Sequence, residues 1–356
     1  MLSNSFPFVS IIIPCRNEER FIGSCINSIL ANDYPKDNIE ILVIDGMSED
    51  KSKEIVGGYS RQYKFIKVID NPRRITPCAF NTGIRNSNGE IIMILGSHSA
   101  YQNDYISKCV RYLNEFEADN VGGIIVTVPR EDTFIGKAVT ASLSSRFGVG
   151  GSSFRTGVKE PTWVDTVFGG CYKKNVFEKV GLFNENLVST QDMEFNLRLK
   201  RAGGKILLVP DIVSYYYTRS DLVSFCRNNF RNGFWAIYPF KFTTAMPVSW
   251  RHLVPLTFVL GLIGSALLST MVTHFVLLFL IILGSYVLAN LAASLQIALQ
   301  RQDIKYLIVM PFIFACLHFG YGLGSLVGGL GVLCSTRFWK RFPGAKISKA
   351  DVKKKG

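Results

Sequence analysis

Between Arg251 and Arg301 the chain contains no aspartate, glutamate, lysine or arginine. That run holds two stretches, residues 253–272 and 275–299, each long enough for the roughly 20 residues that an apolar helix needs to cross a bilayer. A third run, residues 306–336, lacks the same charges but is Gly-rich, and at about 31 residues it is long for one span and short for two. A basic cluster follows at once: Arg337, Lys340, Arg341, Lys346, Lys349, Lys353, Lys354 and Lys355. Basic flanks favour the cytoplasmic face and anionic headgroups. The tail is therefore expected inside, which requires an even number of crossings and makes the third run a re-entrant hairpin or two short spans. Trp250, Tyr306 and Trp339 fall where interfacial aromatics are expected, and residues 225–242, rich in Phe, Arg, Trp and Tyr, read as an amphipathic helix on the membrane surface. The division expected is a soluble domain over 1–222, an interfacial segment over 223–250, a transmembrane region over 251–336 and a basic tail over 337–356.

At 356 residues with 48% hydrophobic content, the chain has room for one large domain beside its membrane part. Its formal net charge of +13 is compatible with nucleic acid, anionic lipid or a phosphate-rich ligand. The clustering of basic residues beside the last apolar run favours lipid and makes nucleic acid an unexpected partner. The eight cysteines form no CxxC pair and no zinc-like spacing, so neither a metal framework nor a disulfide framework is indicated. The first residues lack the basic start and long apolar stretch of a signal peptide, which leaves the N-terminal domain in the cytoplasm.

Residues 8–14 and 39–45 are short β-branched runs that read as buried parallel strands. Between them Phe21, Ile22, Cys25, Ile26, Ile29 and Leu30 recur at helical spacing, which makes a strand, helix, strand unit. Strands over 65–70 and 90–95, with a helix over 77–85, continue the alternation, and a helix over 106–116 leads to a strand over 120–128. The fold class is thus α/β with a mostly parallel, Rossmann-like sheet. A Gly/Ser-rich stretch, 148–157, reads as a mobile loop of the kind that closes over substrates. A strand over 162–170 runs into a Gly-Gly turn, a helix follows over 174–180, and Asp192 opens a charged helix ending at Gly203 and Gly204.

In an open α/β sheet, ligands bind beyond the carboxyl ends of the strands. Residues just past those ends are Pro14, Cys15, Arg16, Asn17 and Glu18; Asp45, Gly46, Met47 and Ser48; and Gly96, Ser97 and His98. An acidic group there accepts from ribose hydroxyls or a base imide, while helix-start amides meet phosphate. Ordinary turn and capping chemistry accounts for any one of these motifs taken alone. Arg73 and Arg74, after the third strand, would neutralise a diphosphate or simply form a solvated face.

Taken together, these motifs resemble family 2 glycosyltransferases of the GT-A fold, over roughly residues 8–240. The likeness rests on Pro14-Cys-Arg-Asn-Glu18 after the first strand, on Asp45-Gly-Met-Ser48 after the second, and on Asn81-Thr-Gly-Ile-Arg85 followed by Asn88-Gly-Glu90. The resemblance implies that Pro14, Arg16, Asn17, Glu18, Asp45, Gly46, Arg73, Ser97 and His98 hold a nucleotide-sugar. Where family members carry Asp-x-Asp or Asp-Ala-His, this chain has Gly96-Ser97-His98, so the first acid is missing. A Mn²⁺ or Mg²⁺ ion on the diphosphate would have His98 as its evident protein ligand, and Mn²⁺ tolerates imidazole better. A satisfied loop histidine is the alternative. Ser189-Thr-Gln-Asp-Met-Glu194 is similar to the family's Glu-Asp-x-Glu segment and puts Asp192 at the catalytic-base position. Glu194 instead points away and pairs with Arg198 at i+4. The Gln-x-x-Arg-Trp signature of processive synthases is absent, which argues for addition of a single sugar.

The resemblance implies an inverting transfer of one sugar from a nucleoside-diphosphate donor to a lipid-linked acceptor at the cytoplasmic membrane face. Likeness to succinoglycan-type exopolysaccharide transferases, through Val164-Asp-Thr-Val-Phe-Gly-Gly-Cys-Tyr-Lys173 and His318-Phe-Gly-Tyr-Gly-Leu-Gly324, points to cell-surface glycan synthesis. A catalytically silent nucleotide-sugar-binding scaffold is the competing possibility, motivated by the missing acid and opposed by the retained Asp192 and Glu18. A channel or carrier is excluded, because His274 and His318 are the sole ionisable candidates for a pathway in the apolar segments.

Overall fold

The computed structural model describes residues 6–243 and 248–335. Trp339 and the basic tail lie outside those residues. The chain divides into two compact units, Met1–Asp221 and Leu222–Gly356.

The first unit is built on β1 (Val9–Cys15), α1 (Ile22–Leu30), β2 (Ile39–Asp45), α2 (Ser52–Gln62), β3 (Ile66–Asp70), α3 (Thr76–Arg85) and β4 (Ile91–Ile94). β5 (Ser99–Tyr101), α4 (Tyr105–Glu115) and β6 (Asn120–Pro129) follow, then α5 (Phe134–Leu143) and two single turns, α6 (Arg146–Val149) and α7 (Ser153–Thr156). β7 (Thr162–Trp163), β8 (Cys171–Lys173), α8 (Asn175–Val180), α9 (Gln191–Arg201) and β9 (Ile206–Thr218) complete it. The sheet runs β3-β2-β1-β4-β8-β6-β9-β5, with β7 on β9. The β1–β2, β1–β4, β2–β3 and β6–β9 pairs are parallel, while β8, β5 and β7 pair antiparallel with their neighbours.

β1 and β2 are continuous apolar runs because helices cover both faces of the sheet. Ile11, Ile13, Ile41 and Val43 pack against α1 and α4, whereas Ile12, Leu42 and Ile44 pack against α3, α8 and α9. At the amino ends of these strands, buried Glu40 accepts from the Ser10 hydroxyl and the Asn88 amide, both at 2.6 Å. Burial alone would raise the Glu40 carboxyl, but these donors and Lys67 hold it below its ordinary value. Asn88 and Gly89 thus close the α3–β4 turn, far along the strands from where ligands bind. At Gly123, where the β6–β9 register shifts, a Cβ would collide with the Ile212 carbonyl, so glycine permits the bulge.

Three segments differ from the sequence expectation. The expected 162–170 strand is two residues of β7 followed by a loop, because Val167 turns inward to the core and Gly169 and Gly170 take positive φ. The 148–157 stretch holds the end of α6 and the whole of α7. The third apolar run forms one helix of 29 residues, Lys305–Leu333, with Pro311 inside it, instead of a hairpin or two short spans.

The second unit comprises α10 (Leu222–Ile237), α11 (Val254–Ser269), α12 (His274–Arg301) and α13 (Lys305–Leu333). Three helical segments, Trp250–Ser269, His274–Arg301 and Lys305–Leu333, are long and apolar enough to cross a membrane. α10 lies directly on the Gly-rich half of α13: a Cβ at Gly324 would strike the Phe230 carbonyl, and one at Gly233 would strike that of Tyr321. Ser325 Oγ donates to the Gly233 carbonyl at 3.1 Å. Small residues that let backbones touch are how helices associate where lipid removes the hydrophobic incentive. This contact predicts that Gly324→Leu forces α10 from α13 and lowers the unfolding temperature of the detergent-solubilised protein. Gly264→Leu, at a site with no atom within 4 Å, should leave it unchanged.

Candidate active site

The β1–β2 register places Cys15 beside Asp45, and the β2–β3 register places Asp45 beside Asp70, so three strand ends finish level. The loops beyond β1 and β2 are laced together. Asn17, at φ 55°, donates its amide to Ser48 Oγ at 3.0 Å and accepts from the Glu49 amide at 2.9 Å. The Glu18 amide donates to Ser52 Oγ at 2.7 Å. Asp45 is buried; one carboxylate oxygen accepts from the Ser48 amide at 3.1 Å, while Oδ1 has no hydrogen-bond partner among the described residues. A buried acceptor left without a donor is a group awaiting one.

Beyond these strand ends lies a cavity of about 360 Å³ lined by Pro14, Arg16, Glu18, Gly46, Ser97, His98 and Asp192. Sequence candidates from four separate segments thus meet in one space. Asn17, Asp45 and Arg73 do not line it. Asn17 and Asp45 shape the loops that do, whereas Arg73 pairs with Glu185 at 2.6 Å. Arg74, at φ 58°, lines the cavity instead and approaches Glu49 at 3.6 Å. The lining also includes Asn71, Thr76, Phe168, Tyr172 and Gln191, which were not singled out from sequence. Asn71 follows β3 and was open to the same strand-end rule that found Asp45. Phe168 was concealed by the strand assigned there.

Gly96, Ser97 and His98 connect β4 to β5. The Gly96 amide donates to Tyr101 Oη at 2.7 Å, and the Tyr217 amide donates to the His98 carbonyl at 3.1 Å. The His98 ring stands edge-on to Tyr216, centroids 5.1 Å apart, with Nδ1 3.1 Å from Glu18 Oε1. Among the described residues no three His, Cys, Asp or Glu side chains are grouped to hold a metal. Adjacent ligands of an octahedral ion with bonds of 2.0–2.1 Å stand about 3 Å apart. The His98–Glu18 pair has that spacing, which is also that of a hydrogen bond, so these two side chains would be the ones to hold a Mn²⁺ or Mg²⁺ ion beside the diphosphate.

Asp192 is the second residue of α9, which Thr190 enters at φ 62°. One turn on, buried Asn196 fixes the helix to the sheet, accepting from Asn120 Nδ2 at 3.1 Å and donating to Thr166 Oγ1 at 2.9 Å. Asp192 is half-buried, open on the cavity side and enclosed elsewhere. Burial pushes its carboxyl above the ordinary aspartate value, opposed by the Met193 amide and its own. Glu194, by contrast, is spent on Arg198, with contacts of 3.0 and 2.9 Å to Nε and Nη2. Of these two carboxylates, Asp192 is the one that lines the cavity.

Comparison with known proteins places this geometry in a lineage. The family model for glycosyl transferase family 2 matches residues 10–181. A dolichyl N-acetyl-alpha-D-glucosaminyl phosphate 3-beta-D-2,3-diacetamido-2,3-dideoxy-beta-D-glucuronosyltransferase from Methanococcus voltae is 32% identical, across 90% of this chain and 98% of its own. The succinoglycan biosynthesis protein ExoA of Rhizobium meliloti is 29% identical, across 69% of this chain and 74% of its own. Among solved structures, the mannosyltransferase PcManGT of Pyrobaculum calidifontis, determined in complex with GDP-Man and Mn²⁺, superposes with a TM-score of 0.58 at 19% identity, covering 92% of this chain and 88% of that one. That likeness shows the fold, GT-A. The chain belongs to glycosyltransferase family 2 and is a sugar-transferring enzyme.

Proposed function

We propose that the enzyme transfers one sugar, with inversion, from a nucleoside-diphosphate donor to a hydroxyl of a lipid-phosphate-linked acceptor. The observation that carries this reading is Asp192, a carboxylate paired with no cation among the described residues, in the same cavity as the strand-end residues Arg16, Glu18, Gly46 and His98. The acceptor oxygen attacks the anomeric carbon, the bond from that carbon to the diphosphate breaks, and the acceptor proton passes to Asp192. Arg16 and Arg74 face the charge left on the departing nucleoside diphosphate. A Mn²⁺ or Mg²⁺ ion held by His98 and Glu18 would supply further neutralisation of that charge.

The acceptor class is supported by the Methanococcus voltae relative, whose name specifies a dolichyl-phosphate-linked sugar and whose likeness extends over nearly its full length. Three membrane-length helices agree with such an acceptor, since anchoring confines enzyme and lipid to one surface and raises their effective concentration. The reading is of a multi-pass protein of the cell membrane with its catalytic unit in the cytoplasm, where nucleotide-sugars are supplied, serving assembly of a cell-surface glycan such as an exopolysaccharide.

Asp192→Asn should lower kcat about 10²- to 10⁴-fold in assays with a panel of nucleotide-sugars and Mn²⁺ or Mg²⁺. Nucleotide binding by the wild type without turnover under any of these conditions would instead identify a silent scaffold. Because the folded carboxyl is raised, the stability linked to it is present at low pH and lost as pH rises through the raised value. Asp192→Asn should therefore keep or raise the unfolding temperature at neutral pH, and the wild-type rate should fall on acidification at a pH above the roughly 3.9 of free aspartate. Glu18→Gln and His98→Ala should each raise the Mn²⁺ concentration for half-maximal turnover about tenfold or more, read from metal titrations at saturating donor.

A further inference from the structure

α7 is a single turn set between Gly150 and Gly157, both at positive φ. It carries Arg155 to the aromatic wall of the cavity. The guanidinium carbon lies 5.5 Å from the Tyr216 ring centroid and 5.7 Å from that of Phe154. Its hydrogen bond, to Thr127 Oγ1, is long at 3.5 Å. Tyr216 in turn meets His98 and Phe168, at 5.1 and 5.5 Å, and both of those line the cavity. Among the described residues no carboxylate pairs with Arg155. Burial pulls the guanidinium below its ordinary value, and Tyr216 is the group that opposes the pull. A cation withdrawn from water without a counter-charge is costly, and a ring face offsets part of that cost.

We propose that Arg155 is a phosphate-binding residue of the transfer site, whose missing anion arrives with the ligand: the diphosphate of the donor or the phosphate ester of a lipid-linked acceptor. The proposal rests on the transferase reading of the cavity. Arginine suits the role because its planar fork meets two phosphate oxygens at once. Its position on a turn flanked by glycines lets it move toward the ligand with little backbone strain.

The test uses the full-length protein in detergent and the variants Arg155→Met and Arg155→Lys. UDP and GDP with Mn²⁺ probe the donor side, farnesyl phosphate probes the acceptor side, and unfolding is followed without ligand. Arg155→Met should bind at least one probe about tenfold to a hundredfold more weakly, with Arg155→Lys intermediate and the ligand-free unfolding temperature unchanged or raised. Weakened nucleotide binding assigns the anion to the donor, and weakened farnesyl phosphate binding alone assigns it to the acceptor. Nucleotide and farnesyl phosphate binding by the wild type that Arg155→Met leaves intact overturns this proposal alone, as does a lowered unfolding temperature with unchanged affinities. A wild type that binds none of the probes overturns the transferase reading as well.

Discussion

The parallel pairing of β1 with β2 and of β2 with β3 is the constraint on which the site depends. Because Cys15, Asp45 and Asp70 stand side by side at the strand ends, the loops that follow emerge at one level and are tied by Asn17, Ser48 and Ser52. The residues of β1 and β2 that keep the register are buried almost throughout. A one-residue slip would exchange Ile11 and Ile13 with Ile12 between two differently shaped cores. The buried Glu40 network at the opposite strand ends opposes such a slip, since it joins β1, β2 and the turn into β4 through Ser10 and Asn88.

On this frame the protein gathers polar groups that folding leaves unsatisfied. Among the described residues, Asp45 Oδ1 and Gln191 Oε1 are buried without partners, Asp192 has no cation and Arg155 has no anion. Each such group costs on the order of 1–3 kcal/mol, and the costs fall around one cavity and its aromatic wall. Other buried oxygens of the same unit, Asn32 Oδ1, Asn120 Oδ1 and Asp211 Oδ1 among them, also lack partners among the described residues, so it is position beside the cavity, and not lack of a partner alone, that singles out Asp45 and Gln191. Glu194 and Arg198, by contrast, satisfy each other.

The first half of the unit was legible because its strands are short, wholly apolar and punctuated by Pro, Asp or Gly, and because a parallel sheet leaves few topologies. The Glu194–Arg198 pair was legible from helical spacing, whereas Asp192 was singled out by its likeness to the family's Glu-Asp-x-Glu segment. β9, the longest strand, was overlooked: Pro210 interrupts Ile206–Thr218 at the very place where the β6–β9 register shifts, so bulge and proline together mask one strand as two fragments. Of the two neighbouring arginines, Arg74 and not Arg73 lines the cavity, for a reason invisible in sequence. Glu185, over a hundred residues away, captures Arg73, and a left-handed turn swings Arg74 to the cavity. α10 was read as a surface helix from its composition, but its packing is decided by the glycines of α13, a tertiary fact that its own sequence does not contain.

The central claim is that a sugar leaves a nucleoside diphosphate and joins a lipid-linked acceptor in this cavity. The measurement that tests it most directly supplies purified enzyme with a donor panel labelled in the sugar and with polyprenyl-phosphate-linked N-acetylglucosamine in detergent, then partitions the products between water and organic solvent. The account predicts label in the organic phase, in a new glycosidic bond whose anomeric configuration is opposite to that of the donor. Label that remains in water, or that enters the lipid with the donor's configuration retained, would contradict it.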